Sequence, residues 1–421
     1  MNENYSRRHE IKDTSIVNVI GLGYIGLPTA LMLASHNVKV VGSDYNKSLI
    51  KTLKEGEITF KEKGLDDLLK DALCKNIEFS NEYVDADIYI VAVPTPYNKT
   101  SKKIDSTYLI NAVNGIAKIC SKGTIVVIES TVSPGTIDKY IKPEIEKQGL
   151  ILGQDIYLAH APERIIPGNM IYELKHNTRI IGTDNIVIGN RIKELYSYFC
   201  GGEIIVTDIR TAEMTKVVEN TYRDINIAFA NELAKICRSD NMDVYEIIKT
   251  ANTHPRVNVL QPGPGVGGHC ISVDPWFLVG DYPGLSNIIL AARKINDSMP
   301  SYVLERTYNI MKENDISDLD RVGLYGLTYK ENVDDTRESP SLQLIDFMIK
   351  HLAKPLKSYD PFIKKEIVEN QYTNFDDFLN EIDLIIIMVS HNEIIENISK
   401  LKNKIIFDTK NICFIEGTYK L

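Results

Sequence analysis

Through the first half of the chain, short apolar runs rich in β-branched residues alternate with helix-period segments, which is the pattern of parallel βαβ units. The strand-like runs are 16–20, 38–42, 88–93, 124–129, 156–159 and 178–182. A doubly wound sheet is expected from them. Residues 207–238 then read as one helix without breakers, with Met214, Val218, Ile225, Phe229, Leu233 and Ile236 spaced for an apolar stripe. Residues 252–274 turn rich in glycine and proline, which forbids regular structure and predicts a loop. A second long helical pattern spans 284–314. After a linker at 315–320 a new β-run starts at 321–326, followed by buried-strand candidates at 384–389 and 404–408. The fold expected is therefore α/β, with two Rossmann-like doubly wound domains joined by a long central helix and boundaries at 1–206, 207–314 and 315–421.

A chain of 421 residues is too long for one ordinary domain, and 43% hydrophobic with 25% charged residues is close to the average of soluble globular proteins. A net charge of −9 argues against a nucleic-acid surface, which needs an excess of Lys and Arg. No apolar segment follows the Arg7-Arg8 pair, so no signal peptide is expected, and the first dozen residues read as a loose tail. No stretch approaches the eighteen or so apolar residues of a spanning helix, so no membrane insertion is expected. The 6 cysteines stand singly, with no C-x-x-C pair. A reducing cytoplasm, no disulfide framework and no metal are the expectation.

The first strand ends in Gly21-Leu22-Gly23-Tyr24-Ile25-Gly26, directly before a helical pattern, so the glycine fingerprint sits in the strand–turn–helix context its mechanism requires. The glycines allow a tight turn, backbone approach to a pyrophosphate and close helix–strand packing. The second strand ends at Asp44, where a carboxylate accepts from both ribose hydroxyls and repels a 2′-phosphate, which favours NAD over NADP. Two more strand ends carry Val93-Pro94-Thr95-Pro96 and Ser130-Thr131-Val132-Ser133-Pro134. Ligands of open α/β sheets bind at such ends, so Thr95 and Thr131 are either cofactor contacts or turn residues.

On the long helix Lys216, Asn220 and Arg223 share one face, which is either a solvated stripe or the lining of a pocket where a lysine serves proton transfer. Cys270 follows Val266-Gly267-Gly268-His269, a setting unlike that of a core cysteine. Asp274-Pro275 reads as a helix cap with proline at the first helical position, whose positive end would favour a thiolate; Asp274 is then a cap or a catalytic carboxylate. In 326–340, Gly326 to Pro340, the full glycine fingerprint is missing, so no second dinucleotide is expected. Lys330 and Arg337 there could clasp a diphosphate or form a solvated charge cluster.

Together these residues resemble the nucleotide-sugar 6-dehydrogenases, the family of UDP-glucose, GDP-mannose and UDP-N-acetylhexosamine dehydrogenases. The motifs VIGLGYIGLP, VPTP, ESTVSPGT, Ala161-Pro162-Glu163-Arg164, TAEMTKVVENTYRDINIAFANE, GVGGHC with Asp274, and GLTYKENVDDTRESP carry the resemblance over nearly the whole chain. Within the family, HPRVNVLQPGPGVGGHCISVDPWF and the Glu163-Arg164 run with Pro167-Gly168 are similar to the UDP-N-acetyl-D-mannosamine dehydrogenases. UDP-glucose enzymes typically have phenylalanine where this chain has Arg164 and Val266.

The resemblance implies an NAD domain, a central helix that builds a homodimer or higher homo-oligomer, and a C-terminal domain for UDP. It implies four-electron oxidation of the C6 hydroxyl of UDP-N-acetyl-D-mannosamine to the uronate, for surface polysaccharide, with UDP-N-acetylglucosamine or UDP-glucose as the alternative substrate. Cys270 would form a thiohemiacetal and then a thioester, with Lys216 and Asn220 serving protons and oxyanion and Asp274 serving hydrolysis. Gly21, Gly23, Tyr24, Ile25, Gly26, Asp44, Thr95, Thr131, Glu163 and Arg337 would hold NAD. Arg164, Ile165, Lys216, Asn220, Arg223, His254, Arg256, Gly267, Tyr329 and Lys330 would hold substrate, with Arg256 reaching the neighbouring subunit's site. Glu163 could instead position water or orient Arg164. Two rivals are a two-electron β-hydroxyacid dehydrogenase, which needs no thiol, and a non-catalytic NAD-binding redox sensor switched at Cys270.

Overall fold

The structure is a computed structural model and describes residues 15–268, 270–351 and 353–421, so the expected tail lies outside the described residues. It divides into two compact units, Met1–Val218 and Glu219–Leu421. The first holds an eight-stranded sheet of β1 (Ile16–Ile20), β2 (Lys39–Ser43), β3 (Ile77–Ser80), β4 (Ile88–Val91), β5 (Thr124–Ile128), β6 (Ile156–His160), β7 (Arg179–Thr183) and β8 (Ile204–Thr207). Its order is β3-β2-β1-β4-β5-β6-β7-β8, so the chain reverses direction across the sheet between β1 and β4. That switch point opens a crevice at the carboxyl ends of the strands. Every residue of β4 and β5 is buried, as in a sheet covered by helices on both faces.

One pair departs from the parallel pattern, because β6 and β7 run antiparallel. Between them the chain passes over the sheet end through Glu163 and Arg164 and turns back along the helix Met170–His176, rather than crossing the sheet again. β3 and β8 escape the pattern because each is 4 residues long, β3 being half polar and β8 having only its first residue fully buried.

The second unit carries a six-stranded parallel sheet in the order β11-β10-β9-β12-β13-β14. Its strands are β9 (Val322–Tyr325), β10 (Lys357–Tyr359), β11 (Gln371–Tyr372), β12 (Leu384–Ile387), β13 (Ile405–Asp408) and β14 (Tyr419–Lys420). β9, β12 and β13 lie inside the expected runs, while β10, β11 and β14 are too short to show a period. Apolar clusters cover both faces, one around Leu324, Ile386 and Leu344 and one around Tyr325, Ile385 and Phe378.

The helix Ile209–Ser239 runs 31 residues across the boundary between the units. Its expected apolar stripe is packed only in part: Met214 and Ile225 are half-buried, and Leu233 lies against the core beside Ala230, Ala234 and Cys237. Val218, Tyr222, Phe229 and Ile236 are 47%, 62%, 50% and 51% exposed, whereas Glu213, Lys216, Asn220, Asp224 and Asn231 are buried. Buried polar groups generally need partners, and among the described residues all of these except Lys216 have them. Asp224 accepts from Arg293 at 2.7 Å and from Asn296 at 2.7 Å, and Asn231 donates to Asn296 at 2.9 Å and accepts from the Gly263 N–H at 2.9 Å. Arg293 and Asn296 come from the helix Asn287–Glu313, which continues through Pro300. No helix among the described residues is long and apolar enough to cross a membrane.

Candidate active site

At the β1 end each fingerprint glycine has a separate geometric reason. Gly21 takes φ +90°, a conformation L side chains rarely adopt, and a Cβ there would lie 2.6 Å from the Ala92 carbonyl. A Cβ on Gly26 would fall 1.9 Å from the Gly21 carbonyl, so only glycine lets the helix Gly26–Ser35 start so close to the strand. Gly23 faces open space, with nothing within 4 Å of its Cβ position. That opening at a helix N-terminus fits a pyrophosphate.

Asp44 ends β2 with both carboxylate oxygens fixed by backbone. Oδ2 accepts from Leu22 N at 2.9 Å and Oδ1 from Asn46 N at 2.9 Å. Each oxygen keeps a second lone pair, which fits the two ribose hydroxyls of a dinucleotide. Tyr24 and Ile25 pack on the apolar core, with Tyr24 tilted over Phe60 at 4.3 Å. Thr95 and Thr131 come together, the Thr95 hydroxyl donating to the Thr131 carbonyl at 2.6 Å, and so tie the β4 and β5 ends to each other.

The segment after β6 is held by charge. Glu163 Oε1 accepts from Arg164 N at 2.7 Å, and its other oxygen is bonded by Arg179. Arg179 also reaches Glu129 at 3.2 Å, while Glu129 accepts from Thr29 at 3.0 Å and Tyr196 at 3.0 Å. Glu163 is thus tied to the Arg164 main chain and to Arg179, while Arg164 Nη1 donates to the Thr178 carbonyl at 2.8 Å. Ile165 is buried in the core, which leaves its main chain as the part that can meet a ligand.

Glu129, Arg179 and Tyr196 were not among the expected site residues. The signal for them was faint: a glutamate closing the apolar run 125–128. Glu213 is a second residue of this kind, its carboxylate accepting from Gly135 N at 2.5 Å and Ile137 N at 3.0 Å and so pinning the loop after Thr131 to the long helix.

In the second unit the thiol loop and the carboxylate meet. The Cys270 carbonyl accepts from Val273 N at 3.1 Å and Asp274 N at 2.9 Å, directly before the helix Asp274–Asp281. The expected helix therefore does start beside the thiol. Asp274 is not its cap: Val273 holds that position, Asp274 is the first helical residue with Pro275 next, and its buried carboxylate accepts from Asn220 Nδ2 at 2.5 Å. Arg223 in turn donates to Asn220 Oδ1. Of the two readings of the polar stripe on the long helix, the solvated one does not hold for Lys216 or Asn220, since both are buried. Among the described residues Lys216 has no hydrogen-bond or ion-pair partner.

Cys270 itself is exposed, as a reactive thiol must be. A Cβ on Gly267 would lie 2.6 Å from Tyr329 Cβ, and one on Gly268 would lie 2.8 Å from Tyr329 Cε2. Gly268 N also donates to the Arg337 carbonyl at 2.9 Å, so the segment bearing Tyr329, Lys330 and Arg337 packs directly on the thiol loop. The Arg337 guanidinium is forked on the buried Asp335 carboxylate, with Nη2 at 2.6 Å. His254 and Arg256 stand exposed on the turn that follows the helix Val244–Ala251.

Three family models match this chain. The NAD binding domain of the UDP-glucose/GDP-mannose dehydrogenase family matches residues 15–200, its central domain 210–298 and its UDP binding domain 323–414. The UDP-N-acetyl-D-mannosamine dehydrogenase of Methanococcus vannielii is 44% identical over 417 residues, covering 96% of this chain and 95% of its own. The NDP-N-acetyl-D-galactosaminuronic acid dehydrogenase of Ralstonia nicotianae is 38% identical, covering 95% and 96%. Among solved structures, the UDP-N-acetyl-mannosamine dehydrogenase of Staphylococcus aureus aligns with a TM-score of 0.86 at 41% identity, covering 96% of this chain and 98% of that one.

Proposed function

The chain belongs to the UDP-glucose/GDP-mannose dehydrogenase family, NAD-dependent oxidoreductases of nucleotide sugars, and from that premise we propose that it oxidises C6 of UDP-N-acetyl-D-mannosamine twice, to the uronate. The observation that carries the chemistry is the junction of the Cys270 turn, Asp274 and Asn220. The sugar rests on the relatives named for it, at up to 44% identity over nearly the full length. Residues 1–206 handle NAD, 207–314 supply the thiol, the proton-handling groups and the subunit contact, and 315–421 hold UDP. The product then serves surface polysaccharide assembly.

When bound, NAD supplies the two-electron acceptor for each of the two oxidations. Lys216, buried and without a partner among the described residues, takes the C6 hydroxyl proton in the first. The Cys270 sulfur, beside the positive end of the helix Asp274–Asp281, attacks the aldehyde carbon, and the carbonyl oxygen becomes the thiohemiacetal oxygen under the Asn220 amide and Lys216. Oxidation of this adduct gives a thioester, so the aldehyde never leaves. Asp274 draws a proton from water, the water oxygen attacks the thioester carbon, and the C–S bond breaks to leave a carboxylate and the free thiol.

The exposed residues Val218, Tyr222, Phe229 and Ile236 support a homodimer built on the long helix, because large apolar side chains left exposed at helical spacing match a second copy of the same surface. The test is steady-state turnover of UDP-N-acetylmannosamine, UDP-N-acetylglucosamine, UDP-N-acetylgalactosamine and UDP-glucose with NADH counted per uronate. UDP-N-acetylmannosamine should give the highest kcat/KM, with two NADH for each uronate as four-electron stoichiometry demands. One NADH per product would exclude the thioester route, and faster turnover of another sugar would reassign the substrate.

A further inference from the structure

Behind the segment that bears Tyr329 and Lys330 lies a buried pair that the chemistry above does not use. His391 follows β12, Asp360 follows β10, and between those strands lies β9, from whose end the segment starts. β9 and β12 flank the point where the strand order reverses, the place where open α/β sheets take ligands.

The hydrogen bonds fix the state of the imidazole. Asn332 N–H donates to His391 Nδ1 at 2.9 Å, so Nδ1 carries no proton. The ring proton is therefore on Nε2, 3.2 Å from Asp360 Oδ2 and 3.3 Å from Thr328 Oγ1, whose own proton goes to the Lys330 carbonyl at 2.9 Å. Asp360 gathers the other side of the segment, Oδ2 accepting from Leu327 N at 2.6 Å and Thr328 N at 3.0 Å and Oδ1 from Phe362 N at 2.8 Å. Burial opposes ionisation of Asp360, but the bonds from His391 and from these N–H groups outweigh it and hold the carboxyl below its ordinary range.

The ring cannot turn away. Phe362 stacks on it at 5.1 Å and Tyr325 meets it edge-on at 5.9 Å. Asn332 sits at φ +58°, a left-handed conformation, and is locked further by exchange with Asn392, at 3.1 Å and 3.0 Å. A strained residue persists where its surroundings over-determine it.

We propose that His391 and Asp360 form a positioning pair that holds the segment from Leu327 to Asn332 in its UDP-binding geometry. The inference rests on the reading that Tyr329 and Lys330 bind the UDP moiety. His391 touches no ligand; it acts through the Asn332 N–H and through Thr328, and because Tyr329 backs Gly267 and Gly268, the same pair steadies the thiol loop.

The experiment measures UDP alone binding to the full chain by calorimetry, with circular dichroism as the folding check. His391→Phe should weaken UDP binding by about tenfold or more. His391→Gln should stay within about threefold of the parent, since its Oε1 can accept from Asn332 N and its Nε2 can donate to Asp360. A structural residue alone would lower the unfolding temperature without this split between Phe and Gln. Lys330→Ala tests the underlying reading separately and should also weaken UDP. A folded His391→Phe protein with unchanged UDP affinity, beside a weakened Lys330→Ala, would overturn the inference, as would equal damage from Phe and Gln. Unchanged affinity in Lys330→Ala would overturn the UDP reading and this inference with it. Should His391→Phe fail to fold, Asp360→Asn decides in its place: its amide would meet N–H donors with a donor, and undiminished UDP binding would refute the pair.

Discussion

Replacing Glu129 with glutamine should change how the protein's stability depends on pH, with the largest effect above neutrality. Glu129 closes β5 with 1% of its surface exposed, and two carboxylates, Glu129 and Glu163, share the single guanidinium of Arg179. Such a cluster carries one uncompensated negative charge in an apolar interior. Burial pushes the Glu129 carboxyl up from 4.5 to about 7, opposed by Arg179, reinforced by Glu163, and opposed again by Thr29 and Tyr196. A rise of that size is worth about 3 kcal/mol. The folded state keeps the proton to higher pH than the unfolded chain, so this stabilisation is complete below 4.5 and is lost as pH rises through about 7.

Glutamine is neutral throughout; its single oxygen keeps the bonds from Arg179 and Tyr196, and its amide nitrogen faces Thr29 Oγ1, to which it donates. Urea unfolding of both proteins, followed by circular dichroism from about pH 5 to about pH 8, measures the difference in unfolding free energy. The variant should gain on the parent by about 2 to 3 kcal/mol across that range. A difference that does not vary with pH, or one that moves in favour of the parent as pH rises, would refute the raised titration of Glu129.

Cys270→Ala should fold and bind both ligands yet lose uronate production by about three orders of magnitude or more, as expected on removal of a covalent nucleophile; near-normal turnover would leave Cys270 a structural residue. Cys270→Ser is the sharper variant, since mass spectrometry should find a slowly hydrolysing ester on the chain, and a clean spectrum during turnover would count against acyl transfer. Asp44→Asn should narrow the preference for NAD over NADP by about tenfold or more in kcat/KM, because the charge that repels a 2′-phosphate is gone while the side chain keeps its size; an unchanged ratio would place cofactor selection elsewhere. Phe229→Asp should raise the dimer dissociation constant by about a hundredfold or more in sedimentation experiments, and an unaltered constant would move the subunit contact off the stripe.

Much of this protein is legible along the chain because it depends on neighbours in sequence. The buried strands β1, β4 and β5 announce themselves as apolar runs, since a strand covered on both faces has no polar side to show. The glycines 21, 23 and 26 and the carboxylate of Asp44 follow from a turn whose geometry is local. The start of a helix just after Cys270 is local too, signalled by Asp274-Pro275. Periodicity by itself did not say which stripe of the long helix is packed. There the tertiary structure decided, burying Glu213, Asp224 and Asn231 because Gly135, Arg293 and Asn296 arrive from distant segments to satisfy them, and leaving Phe229 outside. The same holds for Asp274, a cap by its position in sequence and a partner of Asn220 in space. Glu129 with Arg179, and Asp360 with His391, lie 50 and 31 residues apart, so no local pattern joins them. Short strands such as β11 and β14, 2 residues each, exist only because a neighbouring strand supplies their hydrogen bonds. A hydrophobic period reports what a segment would bury alone, whereas a buried charge is tolerable only when its counter-charge is brought to it by the fold.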